Sequence, residues 1–259
     1  MLHLLPERLS IELSPQACRI RRKTRWGKNS TTNEILVSAV SNHQSSNWQP
    51  AIEALTKFFL ERKSVRSEVE ITLSDRFARY VIIPWSDALR NAREVDALAK
   101  ARFEEVFGDS VQRWEMKGDM RVYGCDGLAC AIDVDLVQQL KAIAFDRKWK
   151  INSLTTHFVR VVNRHRKQIP ANAIIATGMD DSWALMCRVG GHWRSSRVIA
   201  RDAFGTSVRA RMEQELLWLG ICEDVPMLVV ADVVQQRLLN CDDGVTNLCA
   251  QLRSNQEAS

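Results

Sequence analysis

Few side chains in this sequence are spaced for catalysis. Glu104-Glu105 and Asp242-Asp243 are adjacent carboxylates, and neighbours in sequence point to different sides of a helix or lie in a turn, so neither pair is set for general acid–base work. Nucleophilic catalysis by a serine would need a sharp Gly-x-Ser-x-Gly turn or its equivalent, and none occurs. His157 and His165 fall on one predicted helix, eight residues apart and therefore offset by about 80°, which excludes a shared metal. Cys125 and Cys130 have no second ligand pair and no CxxC is present, so the cysteines are expected as buried, apolar-like thiols and no metal is expected.

Composition narrows the classes further. The 259 residues are 46% hydrophobic, enough for a substantial core in one large or two smaller domains. No stretch approaches the roughly 18 uninterrupted apolar residues of a membrane helix, and the opening MLHLLPERLSIELS is interrupted by charge too early for a secretory signal. Seven cysteines, an odd number, fit reduced thiols and a cytoplasmic location. The net charge of +5 is mild, and 31 acidic residues dilute the basic runs Arg21-Arg22-Lys23-Thr24-Arg25 and Arg164-His165-Arg166-Lys167. Such runs are usually solvated surface, so binding to nucleic acid is not expected. It stands as a third functional class behind those weighed below.

The elements that must position any site alternate in a regular order. Strands are expected at 8–13 and 17–22 around Ser14-Pro15-Gln16, and at 33–40. Trp48, Ile52, Leu55, Phe58 and Phe59 recur at helical spacing over 49–62. Strands follow at 69–74 and 77–84, then a helix over 86–107 with Ser86 as N-cap and Gly108 as stop. Strands around 111–117 and 127–133, a helix at 135–147, a strand at 149–154 and a helix at 156–168 complete the first part. The second part starts at 172–177, with strands at 183–189 and 193–200 joined by Gly190-Gly191, a strong hairpin signal. A helix at 204–219, a strand at 226–231 and a short helix at 232–239 end it. Of the eight tryptophans, Trp85 and Trp183 are the two expected at the surface.

Each part follows the order βββαβα, and a repeated unit of this kind outweighs any single element. The boundary falls at Gln168–Ala171, where a helix meets Pro170. This order resembles the actin-like ATPase fold, an α/β architecture of two ribonuclease-H-like halves facing each other across a nucleotide cleft. Residues 72–108, and LSDRFARYVIIPW within them, resemble the actin-like proteins of type IV pilus and type II secretion machines, PilM and the cytoplasmic part of GspL; so does LACAIDVDLVQQLKAIAFDRKWKINSL. The resemblance implies a first half over 1–169 with an inserted subdomain at about 76–130, and a shortened second half over 170–259.

Actin-like ATPases clasp phosphate with two hairpin loops, each with an Asp that orders a metal-bound water and a Gly two residues on, which lets backbone N–H groups approach closely. The matching positions here are Glu12 and Ser14, followed by Pro15, which has no N–H. In the second half they are Ala176 and Gly178, with Asp180 and Asp181 at the loop tip, where their charge would repel phosphate. The adenine side usually has a Gly pair, and Val230-Ala231-Asp232-Val233 has none. Glu12 alone also cannot assemble the acids of a metal-dependent nuclease. The expectation is a degenerate cleft with no cofactor, no metal, no catalytic residue and no enzymatic activity.

The resemblance implies instead a cytoplasmic scaffold at the inner face of the inner membrane. It would bind a cytoplasmic peptide of an inner-membrane assembly protein, contact a secretion or pilus ATPase, and touch the membrane only through partners. Its partner site is expected on the insertion, at Phe77, Arg79, Tyr80, Phe103 and Phe107. The alternative class is a nucleotide-binding actin-like ATPase or sugar-kinase relative.

Overall fold

A computed structural model describes residues 7–23, 30–36, 47–60, 62, 64–120, 122–179, 182–200, 207–222, 224–230 and 246–247. Chain order runs β1 (Glu7–Leu13), β2 (Ala17–Lys23), β3 (Ser30–Leu36), α1 (Gln49–Leu60) and β4 (Ser67–Leu73). It continues through β5 (Ala78–Ile83), α2 (Ala92–Phe107), β6 (Trp114–Asp119), β7 (Gly127–Asp133), α3 (Val134–Asp146), β8 (Trp149–Thr156) and α4 (His157–His165). The last part carries β9 (Ala173–Met179), β10 (Ser182–Val189), β11 (His192–Ala200), α5 (Val208–Trp218), β12 (Met227–Val230) and β13 (Thr246–Asn247). The helix expected at 232–239 lies outside the described residues.

The chain forms two compact units, Met1–Ala78 with Ile132–His157, and Arg79–Ala131 with Phe158–Ser259. The first unit is built on a five-stranded sheet in the order β3-β2-β1-β4-β8. β1 pairs antiparallel with β2 and parallel with β4, and β4 pairs parallel with β8. Period-2 alternation explains one face: Leu9, Ile11 and Leu13 of β1 are buried while Glu12 between them is not. That apolar face receives Ile52, Leu55 and Phe59 of α1 and Leu136 and Leu140 of α3.

The second unit holds two sheets. The larger has the order β11-β10-β9-β12-β13, with β9 antiparallel to β10 and parallel to β12. Every residue of β9 is buried, as expected for a strand covered on both faces. Gly190 and Gly191 turn β10 into β11 at φ 59° and 87°, the pair of positive angles that a tight hairpin needs. The smaller sheet has the order β5-β7-β6 and is packed by Ala99 and Phe103 of α2.

The helix expected from 86 starts later. Asn91 is its N-cap, with a side chain that accepts from the N–H groups of Arg93 and Glu94. Glu94 closes the box by accepting from the Arg90 N–H at 2.6 Å and from Asn91 Nδ2 at 2.8 Å. Ser86 spends its hydroxyl on the Ala88 N–H within a preceding turn. The capping box three residues long outcompetes a lone serine.

Candidate functional site

The first phosphate-loop position is the turn between β1 and β2. Ser14 N–H donates to the Ala17 carbonyl at 2.9 Å. The Ser14 hydroxyl accepts from Ala17 N–H at 3.0 Å and Gln16 N–H at 3.4 Å, and donates to the Ala17 carbonyl at 3.2 Å. Pro15 has no N–H. The donors of this turn therefore close the turn on itself. Glu12 stands on the sheet face away from the helices, opposite Arg19 of β2 and Thr72 of β4.

The carboxyl ends of the parallel strands meet beside this turn. Ser74 N–H donates to the Leu13 carbonyl at 2.7 Å. Ser14, Thr72, Ser74, Asp75 and Thr156 are all buried here. Ser74 also caps the 3-10 turn Asp75–Phe77 by accepting from Arg76 N–H at 3.2 Å. The carboxyl ends of the strands are the side on which open α/β sheets hold ligands, and here these polar residues are closed to solvent.

The second loop position behaves differently. Ala176 faces the core made by Leu185, Met212 and Val229. Its neighbour Thr177 alternates to the other face, opposite Ala184 and Val230, and the Thr177 hydroxyl is buried without a hydrogen-bond partner among the described residues. Gly178 pairs with Trp183. Trp183, expected at the surface, is buried in the same core; strand alternation carries it inward beside Gly178. Asp180, Asp181 and the run 231–233 lie outside the described residues.

The partner-site residues are not gathered on one surface. Phe77 packs in the core of the first unit. Tyr80 is buried with its ring 6.0 Å from Phe158, which in turn meets Trp193 at 5.9 Å. Phe103 is fully buried in the small sheet's core, and Phe107 packs beside it at 5.9 Å. Trp114 completes this cluster, 6.0 Å from Phe103 and 5.2 Å from Phe107. Arg79 and Phe107 are half-buried and so keep some accessible surface.

A groove of about 340 Å³ opens on the same insertion, lined in part by Trp85, Leu89, Asn91, Val95, Gly118 and Met120. Gly118 lets α2 pack closely on the small sheet beside it: a Cβ there would come within 2.8 Å of both Ile83 and Val95. The Trp85 N–H is fixed by Asp126 Oδ1 at 2.8 Å, and its ring meets the exposed Tyr123 at 4.9 Å. Asp126 in turn ties the insertion to the β10–β11 hairpin, because its N–H donates to His192 Nδ1 at 3.1 Å. The same Nδ1 lies 3.4 Å from the Asp126 carboxylate. Arg194 approaches that carboxylate at 3.8 Å.

β6 is an edge strand of the small sheet. Burial at the Asp96 carboxyl works to raise its pKa, but hydrogen bonds from Lys117 and the Gly118 N–H outweigh this and hold it below the ordinary value. The Lys117–Asp96 pair at 2.8 Å also places charge on the edge, a common guard against unwanted strand pairing. Sequence reasoning singled out Trp85 but not its groove partners, which come from segments some thirty residues apart and carry no shared spacing.

Three solved structures show the architecture. The cytoplasmic domain of EpsL, an inner membrane component of the type II secretion system of Vibrio cholerae, matches over 97% of this chain and 94% of its own, at a TM-score of 0.53 and 10% identity. The PilM–PilN type IV pilus biogenesis complex matches over 96% and 93%, at 0.52 and 10%. A Bacteroides thetaiotaomicron protein with an actin-like ATPase fold matches over 90% and 85%, at 0.53 and 12%. The chain has the actin-like ATPase fold, and its fold is similar to those of EpsL and the PilM–PilN complex. No family model and no curated protein sequence matches it. None of the described helices is long and apolar enough to cross a membrane.

Proposed function

We propose that this protein is a scaffold of a pilus or secretion assembly, binding the cytoplasmic segment of an inner-membrane protein without turning over ATP. The closed β1–β2 turn carries the second half of that reading. A phosphate cradle needs N–H groups aimed outward, and here Ser14 and Ala17 absorb them. Ala176 supplies no carboxylate at the matching position of the other half. The likeness in fold to EpsL and PilM–PilN, across nearly the whole chain, supports the assembly role.

The partner site on this reading is the insertion. Phe103, Phe107 and Trp114 shape the small sheet from within, while the groove beside Trp85 offers an apolar wall of Leu89, Val95 and Met120. An extended peptide would seat alternate side chains there. Arg79 and the accessible part of Phe107 lie on the same insertion, whereas Phe77 is buried in the core of the first unit and Tyr80 against Phe158. The protein would work in the cytoplasm, with contact to a secretion or pilus ATPase as a second interaction.

The test is pull-down of cytoplasmic tails of inner-membrane pilus and secretion proteins by the purified chain. Capture of one tail, reduced at least tenfold by Leu89→Asp at unchanged thermal midpoint, is expected. Capture that Leu89→Asp leaves intact would move the site elsewhere, and failure to capture any tail would count against the role.

A further inference from the structure

One end of the first unit carries large apolar side chains that its core does not use. Phe145, in the last turn of α3, is 85% exposed, and Leu60, the last residue of α1, is 70% exposed. Val65, in the connection to β4, is 54% exposed. Short ties hold these segments together. Ser64 Oγ donates to the Arg147 carbonyl at 2.9 Å, and Arg147 Nη1 donates to the Arg62 carbonyl at 3.0 Å. Phe59 of α1 meets Trp149 at 4.7 Å, and the first residues of β4 and β8 lie opposite each other, Ser67 beside Trp149.

Cations surround these apolar groups. Arg66, Lys148 and Lys150 are exposed, and their side chains make no hydrogen bond or ion pair among the described residues. Among the described residues Asp146 is an exposed acid of the stretch, and the half-buried Glu68 stands opposite Lys150. Positive charge near helix carboxyl ends is favoured by the helix dipole, which accounts for Lys148 in part. It does not account for Phe145, nor for the backbone of Lys148. Lys148 has φ 57°, the one positive φ at a non-glycine position among the described residues. Glycine adopts that left-handed conformation freely at the end of a helix, and a lysine does not. The strain keeps a cationic side chain three residues from Phe145, where glycine would give an easier turn.

We propose that this end of the first unit docks directly on an anionic lipid bilayer. Phe145 and Leu60 enter the headgroup region, and Arg66, Lys148 and Lys150 meet lipid phosphates. Exposed apolar residues ringed by Lys and Arg are the combination that gives peripheral proteins affinity for anionic membranes. The assembly reading above brings this protein to the membrane through a partner; the lipid contact rests on this surface alone, and vesicle binding needs no partner protein.

Sedimentation of the full chain with phosphatidylglycerol–phosphatidylcholine vesicles tests it. Binding at about 0.1 M salt should weaken roughly tenfold at about 0.5 M and be near background on phosphatidylcholine alone. Phe145→Asp should reduce binding by about tenfold. Lys148→Gly should reduce it by about fivefold, the worth of one surface cation, while leaving the thermal midpoint unchanged or higher, and it decides the matter if Phe145→Asp does not fold. Equal sedimentation with both vesicle types, no sedimentation with either, or anionic binding that Lys148→Gly leaves unchanged would overturn the proposal.

Discussion

The β1–β2 turn and the end of β9 occupy corresponding places in two sheets of like strand order, β3-β2-β1-β4 and β11-β10-β9-β12, yet they meet the demands of backbone and burial in opposite ways. In the first, a serine hydroxyl is the hub of the turn, taking two N–H groups and giving its own proton to a carbonyl. In the second, the strand is buried throughout, Ala176 is core, and the Thr177 hydroxyl has no partner among the described residues. A polar side chain thus stabilises the turn in the first and costs free energy on the strand in the second. Among the described residues neither arrangement presents both an acid and a ring of free donors, so similar strand order does not carry similar chemistry.

Restoring an acid at the second turn is the harshest way to break this comparison. Ala176→Asp would place a charge among Leu185, Met212 and Val229. Unfolding in urea should show a loss of about 3–5 kcal/mol or more. A stable variant would mean that Ala176 faces a solvated site. Next in size is Ser14→Ala, which leaves the Gln16 and Ala17 N–H groups without their acceptor and should cost about 1–3 kcal/mol by the same measurement. A neutral result would show that solvent satisfies those groups and that the turn is open.

Among the described residues two thiols are fully buried, Cys18 in the first unit and Cys187 in the second, and they extend the comparison. Burial pushes Cys18 up to about 12 and Cys187 up to about 11, from an ordinary 9.0. A second influence on Cys187 is the negative Glu215. Above pH 9.0 the unfolded thiols ionise while the folded ones stay neutral, so the unfolded chain binds fewer protons and stability falls as pH rises. The stability associated with the neutral thiols is fully present below pH 9.0 and is lost towards 11–12. At about pH 10 the loss should be roughly 1 kcal/mol per thiol. Cys18→Ala should flatten the alkaline limb of the curve, and an unchanged limb would contradict the burial.

The smallest expected effect has the opposite sign. Thr177→Val keeps the shape and removes a hydroxyl without a partner, so it should stabilise the protein by about 0.5–1 kcal/mol. Destabilisation would mean that the hydroxyl has a role the fold does not show. Ser14→Ala and Thr177→Val together therefore separate a polar group that closes a turn from one that is merely buried.

Much of the element order was legible in the sequence because its signals are local. Alternation in RLSIEL, helical spacing from Trp48 to Phe59 and the Gly190-Gly191 turn each depend on residues a few positions apart. The helix start was misplaced because Ser86 and Asn91 are both good caps, and the choice between them rests on Glu94 reaching back to the Arg90 N–H. The burial of Trp183 and the inward direction of Ala176 depend on which face of β9 and β10 is packed, and a strand buried on both faces has no alternation to reveal that. The Trp85 groove was invisible for a further reason: Val95 and Gly118 are brought together only when α2 packs on β6. Phe103 and Phe107, four residues apart on one helix, were foreseeable as a pair; that Trp114 packs against both was not.

Steady-state ATP turnover with magnesium is the sharpest test of the proposal that this actin-like chain does not hydrolyse nucleotide. The wild-type chain should release phosphate at the rate of a protein-free blank, and Glu12→Ala should leave that rate unchanged. Steady ATP consumption that Glu12→Ala abolishes would contradict it, and would return the protein to the nucleotide-hydrolysing members of its fold.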